Sequence, residues 1–186
     1  VHPSGGFAGL VDDELVPRRH IPQGYYVDGH LRDGILINAA QPDVNFYAHF
    51  FPETGHRLME HMSKADRMAF FGVLIADQGP GGVVYPGPGG LPLARYSLTR
   101  ADVDKMHDAF IRTGEMMWAA GAKRVYMATQ SWRGAADLGE WKRFKAARLN
   151  AGDLMLTSYH PLGTCKIGKD PRTSVVGLDH EAHDLP

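Results

Sequence analysis

The chain is poor in the residues that announce a particular partner or compartment. It has one cysteine, Cys165, which excludes an internal disulfide framework. That is in keeping with a reducing, cytoplasmic compartment, although secreted enzymes also do without disulfides. Charge of one sign is lacking too: 20 basic and 21 acidic residues leave a net charge of −1. Without a basic stripe to meet phosphates, nucleic acid is not an expected partner. No uninterrupted apolar run approaches the roughly 20 residues of a membrane helix, so no membrane span is expected. Internal repeats, low-complexity tracts and a dividing linker are missing as well. What remains is 186 residues, 44% of them hydrophobic, enough for one domain with a substantial core. The chain opens at Val1 with no visible signal peptide and stops at Asp184-Leu185-Pro186 as if another element followed. It is therefore expected to be truncated at both ends.

The first hundred residues read as strands and turns. An apolar stretch at 6–11 is short enough for a strand. Tyr25-Tyr26-Val27 runs into an Asp28-Gly29 turn, and Asp33-Gly34 precedes Ile35-Leu36-Ile37. An irregular aromatic connection over 42–51 leads to a helix opened by Pro52, with Leu58, Met59, Met62 and Ala65 on its apolar face. Three short runs at 70–76, 83–85 and 93–98, separated by Gly/Pro turns, suggest an antiparallel meander. Thr99 then suits an N-cap, with Asp102 three residues on as in a capping box. Val103, Met106, Phe110, Met117 and Trp118 give the helix one apolar face, and Gly121 a stop. A strand at 124–129 and a second helix at 137–150, with Leu138, Trp141, Phe144 and Leu149 inward, complete the pattern. The expected fold is α+β, an antiparallel sheet with helices packed on one face.

Several candidate sites yield to blander readings. The Gly-rich stretch 79–90 lacks the strand–turn–helix context of a dinucleotide site, because Leu91-Pro92 after Gly87-Pro88-Gly89-Gly90 cannot open the helix. Among ten histidines, His56 and His61 are five apart and fall on different helix faces, and His180 and His183 flank Glu181 without an evident third ligand. No metal is expected. The methionines at 59, 62, 106, 116 and 117 read as core filling. Ser158 has no nucleophile elbow around it, and nothing in sequence joins Cys165 to a histidine. His160 is the better candidate, set in the aromatic, Pro- and Gly-stiffened segment Ser158-Tyr159-His160-Pro161-Leu162-Gly163-Thr164-Cys165. A histidine so held can titrate near neutral pH and act as acid or base. Taken alone it could equally be a structural histidine bonded to backbone.

The segment Tyr159-His160-Pro161-Leu162-Gly163-Thr164-Cys165, with Gly168 and Ser174-Val175-Val176 after it, resembles the glucose-methanol-choline (GMC) oxidoreductases, FAD-dependent alcohol oxidases and dehydrogenases. The His-Pro-Leu-Gly form is most similar to the branch with bacterial cholesterol oxidases and long-chain alcohol oxidases. Val1-His2-Pro3, the meander ending in Leu93-Ala94-Arg95-Tyr96-Ser97-Leu98, and Ala119-Ala120-Gly121-Ala122 before a strand follow the family's order. The likeness thus covers most of the chain, and its specific part is the His160 loop.

The resemblance implies that His160 faces the flavin and takes the hydroxyl proton of an alcohol while a hydride leaves the adjacent carbon for flavin N5. It implies FAD as cofactor, held mainly outside this chain, since the family's G-x-G-x-x-G opening is missing. It further implies a small-molecule alcohol as substrate, and as partner the FAD domain of the same protein, with a second catalytic His or Asn beyond the equivalent of Pro186. Lys166-Ile167-Gly168 and Gly177-Leu178-Asp179 depart mildly from the family pattern. Residues 1–186 are accordingly expected to be a substrate-binding (cap) domain, its pocket over the sheet beside Tyr25, Tyr26, Phe46, Tyr47, Phe50 and Phe51. A stand-alone, non-catalytic binding module of the same fold is the competing expectation.

Overall fold

Ser4–Leu10 (β1) is the strand around which the rest is built. The computed structural model describes residues 2–15, 23–40, 44–79, 81–160, 163 and 165–185, without the side chains of Val44 and Phe46. Val1, Pro42, Pro80, Pro161, Leu162, Thr164 and Pro186 lie outside the described residues.

β1 is short on side-chain bulk and buried on both faces, which is why its sequence runs small and apolar without alternating. One edge pairs antiparallel with Met68–Ile75 (β4), in the register Ser4↔Leu74, Gly6↔Gly72 and Phe7↔Phe71. The other edge pairs with Arg124–Met127 (β7) and, farther along, with Leu156–Thr157 (β8). Beyond β4 come Ile35–Ala39 (β3) and Tyr26–Val27 (β2), also antiparallel. The sheet order is β2-β3-β4-β1-β7, with β8 beside β1.

Phe7, Ile35, Ile37, Val73 and Ile75 point to one face. Arg100–Ala119 (α3) covers that face with Val103, Met106, Phe110 and Met117, all buried. Leu138–Ala146 (α4) adds Trp141 and Phe144. The Trp141 ring stacks on Phe144 at 5.3 Å between centroids and meets Phe7 edge-on at 6.5 Å. Close approach of α3 and α4 depends on Gly114, because a Cβ there would collide with the six-membered ring of Trp141. His107, buried on α3, has Nε2 3.0 Å from the Phe144 carbonyl oxygen, so Nε2 carries the proton and donates.

The capping box at the head of α3 is formed. Asp102 N–H donates to Thr99 Oγ1 (3.2 Å) and Asp102 Oδ2 accepts from Thr99 N–H (2.9 Å). The fully buried Asp102 carboxylate also accepts from Gln78 N–H at 2.7 Å, fastening the end of β4's exit loop to the helix. Burial works against its charge, but these N–H and O–H donors outweigh burial and hold its pKa below the usual range. At the other end Gly121, with φ 91°, takes the left-handed turn expected of a stop.

The α+β expectation therefore holds, with α3 and α4 on one face of an antiparallel sheet. The opposite face is also partly covered. Val44–Tyr47 (α1), a 3-10 turn at Ala48–Phe50 and Gly55–Met62 (α2) bring Tyr47, Phe51, Leu58 and Met62 over Ala8, Met68, Phe70 and Tyr126. The meander is corrected. β4 belongs to the main sheet, while Gly82–Pro86 (β5) and Pro92–Tyr96 (β6) form a separate two-stranded hairpin turned by Gly87-Pro88-Gly89-Gly90. Tyr96 Oη donates to Asp77 Oδ2 at 2.8 Å, tying that hairpin to the end of β4. Two inward assignments are also corrected: Met59 and Leu138 are exposed, each on the solvent side of its helix. No helix among the described residues is long and apolar enough to cross a membrane.

Candidate functional site

The part of the sheet left open beside α1 and the 3-10 turn is the floor of a cavity of about 580 Å³. Three strands contribute alternate residues: Ser4 and Gly6 from β1, Phe70, Gly72 and Leu74 from β4, and Leu36 and Asn38 from β3. These are the positions a period-2 strand presents opposite its α3-facing set. The walls come from Tyr26 on β2, Leu31 in the turn before β3, and Phe50. The last wall is Tyr159 and His160, just after β8.

β8 is what delivers His160. Thr157 lies opposite Ser4 in register and donates from Oγ1 to the Ser4 carbonyl at 3.4 Å. Three residues later His160, exposed, lines the cavity whose floor includes Ser4. Gly163 has φ 90°, a left-handed conformation that suits a tight loop. Farther on, the segment folds back on itself: Gly168 N–H donates to the Val176 carbonyl, and Ser174 Oγ lies 3.0 Å from the Gly168 carbonyl and 2.9 Å from His183 Nε2.

Two glycines shape the floor. Gly6 and Gly72 are register partners, and Asn38 is the partner of Gly72 on its other side. The three form one row across β1, β4 and β3. The ring of Phe50 lies over Gly6 where a side chain would stand, and the amide of Asn38 lies over Gly72, its Oδ1 2.8 Å from a Cβ position there. Asn38 Oδ1 is buried and has no hydrogen-bond partner.

Of the residues expected to wall the pocket, the structure brings Tyr26 and Phe50 together with His160. Tyr47 and Phe51 are instead buried under α2, Tyr25 points to solvent, and the side chain of Phe46 lies outside the described residues. The sequence reading missed Leu31, Leu36, Leu74, Asn38 and the glycine pair. The signal was the even-numbered set of β3 and β4, unreadable until the covered face is known. Cys165 is an exposed free thiol. His56 is exposed, whereas His61 is stacked on Phe51 at 4.8 Å. Among the described residues no three His, Cys, Asp or Glu side chains gather as a metal would require.

Residues 87–186 match the family model described as GMC oxidoreductase, a stretch running from the hairpin turn through α3 and α4 to the His160 loop and beyond. Two Mycobacterium tuberculosis proteins, from strains CDC 1551 / Oshkosh and H37Rv, each named an uncharacterized GMC-type oxidoreductase, are 30% identical to the chain over 171 residues. That alignment takes in 91% of the chain, which spans 27% of the length of either relative.

Proposed function

From a chain that belongs to the GMC oxidoreductase family, we propose that it is the substrate-binding domain of an FAD-dependent enzyme oxidising the CH–OH group of an alcohol, with His160 as general base. The observation that carries the reading is the position of His160 on a cavity whose lining is mostly apolar, with Leu31, Leu36, Leu74, Phe50 and Phe70 beside a few polar side chains. An apolar cavity with few polar groups orients a ligand by shape and leaves the polar groups to fix its reacting end. As general base the imidazole accepts the hydroxyl proton at a ring nitrogen, while the apolar walls hold the rest of the alcohol in place. The size and lining suit an alcohol with a bulky or extended apolar body.

The described residues do not fit the dinucleotide part of FAD. The Gly-rich stretch is a hairpin turn with no helix N-terminus behind it, and the cavity offers no cluster of N–H groups or cations for a pyrophosphate. The cofactor is therefore assigned to other segments of the full-length protein. The test is direct. The full-length protein is mixed with 1-hexanol and the aldehyde is measured; formation of the aldehyde with a bleached flavin spectrum supports the reading. A full-length protein that holds flavin yet leaves a panel of apolar alcohols untouched would overturn it.

A further inference from the structure

Asn38 is the one polar side chain in the central row of a floor whose other side chains are Ser4, Leu36, Phe70 and Leu74. The row Asn38–Gly72–Gly6 crosses β3, β4 and β1, and its two glycines make room for the Asn38 amide and the Phe50 ring laid over them. The amide lies flat on β4 because residue 72 has no Cβ; one there would stand 2.8 Å from Oδ1. Oδ1 is thereby shut against the floor with no hydrogen-bond partner. A buried acceptor left unpaired is costly, whereas a leucine of similar volume at the same place would carry no such cost. Stability alone gives no reason for an asparagine at this position.

Position in the sheet says which part of a ligand the amide would meet. β3 and β8 are separated by β4 and β1, three strand spacings or roughly 14 Å of backbone. His160 follows β8 and Asn38 sits on β3, so the two reach into one cavity from opposite sides. A ligand whose reacting hydroxyl is at His160 presents a different part of itself to Asn38. The amide turns easily about its last side-chain bond, and a hydroxyl can both donate to Oδ1 and accept from Nδ2. With Oδ1 against the floor, a ligand hydroxyl accepts from Nδ2, and a half-turn of the amide brings Oδ1 to the cavity to accept from the hydroxyl instead.

We propose that Asn38 is a specificity residue that binds a second hydroxyl on the substrate, so that the cavity selects an apolar body carrying two separated hydroxyls over the mono-alcohol of the same length. The inference rests on the reading of this cavity as the alcohol site.

The experiment compares binding of 1,6-hexanediol and 1-hexanol to the full-length protein, by calorimetry in anaerobic buffer after the flavin has been reduced so that no alcohol is consumed. The wild type is expected to bind the diol about tenfold more tightly, the size of one well-made hydrogen bond. Asn38→Leu is expected to bind the two alike while keeping or raising the melting temperature. Asn38→Ala, which leaves room rather than filling it, supplies the same comparison if the leucine variant does not fold. A wild type indifferent to the second hydroxyl overturns the proposal, as does a preference that survives in both variants. Turnover separates it from the broader reading. An intact diol preference without alcohol oxidation sinks only the oxidoreductase assignment, and oxidation without the preference sinks only the role of Asn38.

Discussion

The indole of Trp141 occupies the space that a side chain on Gly114 would need, so α3 and α4 touch through a missing methyl group. Trp141 cannot readily give way, since Phe144 stacks on one side of it and Phe7 meets it edge-on. Gly114→Ala sets two effects against each other. Alanine gains about 0.8–1.0 kcal/mol of helix propensity, while overpacking a core contact costs about 1–3 kcal/mol. Because the ring is held, the clash wins: calorimetry should find a lower melting temperature, by roughly 2–4 °C per kcal/mol for a chain of this size. A variant as stable as the wild type would show that the indole moves freely.

Asp102 joins two elements where Thr99 serves one. Removing Thr99 as a cap costs about 1 kcal/mol. Removing the Asp102 carboxylate leaves the Gln78 N–H without its acceptor as well as breaking the box, a loss of about 2–4 kcal/mol. Denaturant titration should therefore rank Asp102→Ala as clearly more damaging than Thr99→Ala. The opposite ranking would mean that the tie to Gln78 contributes little.

His107 makes stability depend on pH. Burial lowers its pKa, against the opposing effect of its hydrogen bond to the Phe144 carbonyl. The unfolded histidine, near 6.5, takes up a proton first as pH falls, and the folded one stays neutral. Between the two values the unfolded state binds more protons, so stability drops as pH falls below about 6.5. Unfolding free energies measured from pH 7.5 to 5 should show that slope, and His107→Gln should flatten it. An equal slope in the variant would place the dependence elsewhere.

On the role proposed for it, His160→Ala in the full-length protein should reduce alcohol oxidation by roughly 10²–10⁴, the span of general-base contributions. Melting temperature should barely change, because the side chain is exposed and lies outside both core clusters. Near-normal turnover would remove His160 from the proposed chemistry.

The elements that local chemistry dictates were legible before the structure. Thr99 and Asp102 marked the start of α3, Gly121 its end, and the spacing of Val103, Met106, Phe110 and Met117 its buried face. Asp33-Gly34 likewise placed β3. What could not be read was pairing across distance. The runs at 70–76 and 83–85 are neighbours in sequence with turn residues between them, but β4 finds its partners in β1 and β3. The cavity was misdrawn for the same reason. Aromatic residues such as Tyr47 and Phe51 signalled apolar surface, whereas α2 claims them for its own core. The true floor sets glycines and an asparagine among Leu36, Phe70 and Leu74, and the meaning of that row appears only when three strands are laid side by side. His160 was legible as a candidate through its Pro- and Gly-bounded loop, and its delivery by β8 to the Ser4 end of the cavity was not.

β1 pairs with strands drawn from the whole length of the chain, and Ser4 and its neighbour Thr157 are 153 residues apart. At synthesis rates of about 5–20 residues per second, β1 waits roughly 8–30 s before its last partner exists. Contacts of such long sequence separation also slow the folding that follows. The strand that becomes the most sheltered part of the sheet is thus the one that spends longest unpaired on the growing polypeptide. Once β4 has paired with one edge, the other stays open to chaperones, and to other nascent chains, until β7 and β8 have been made.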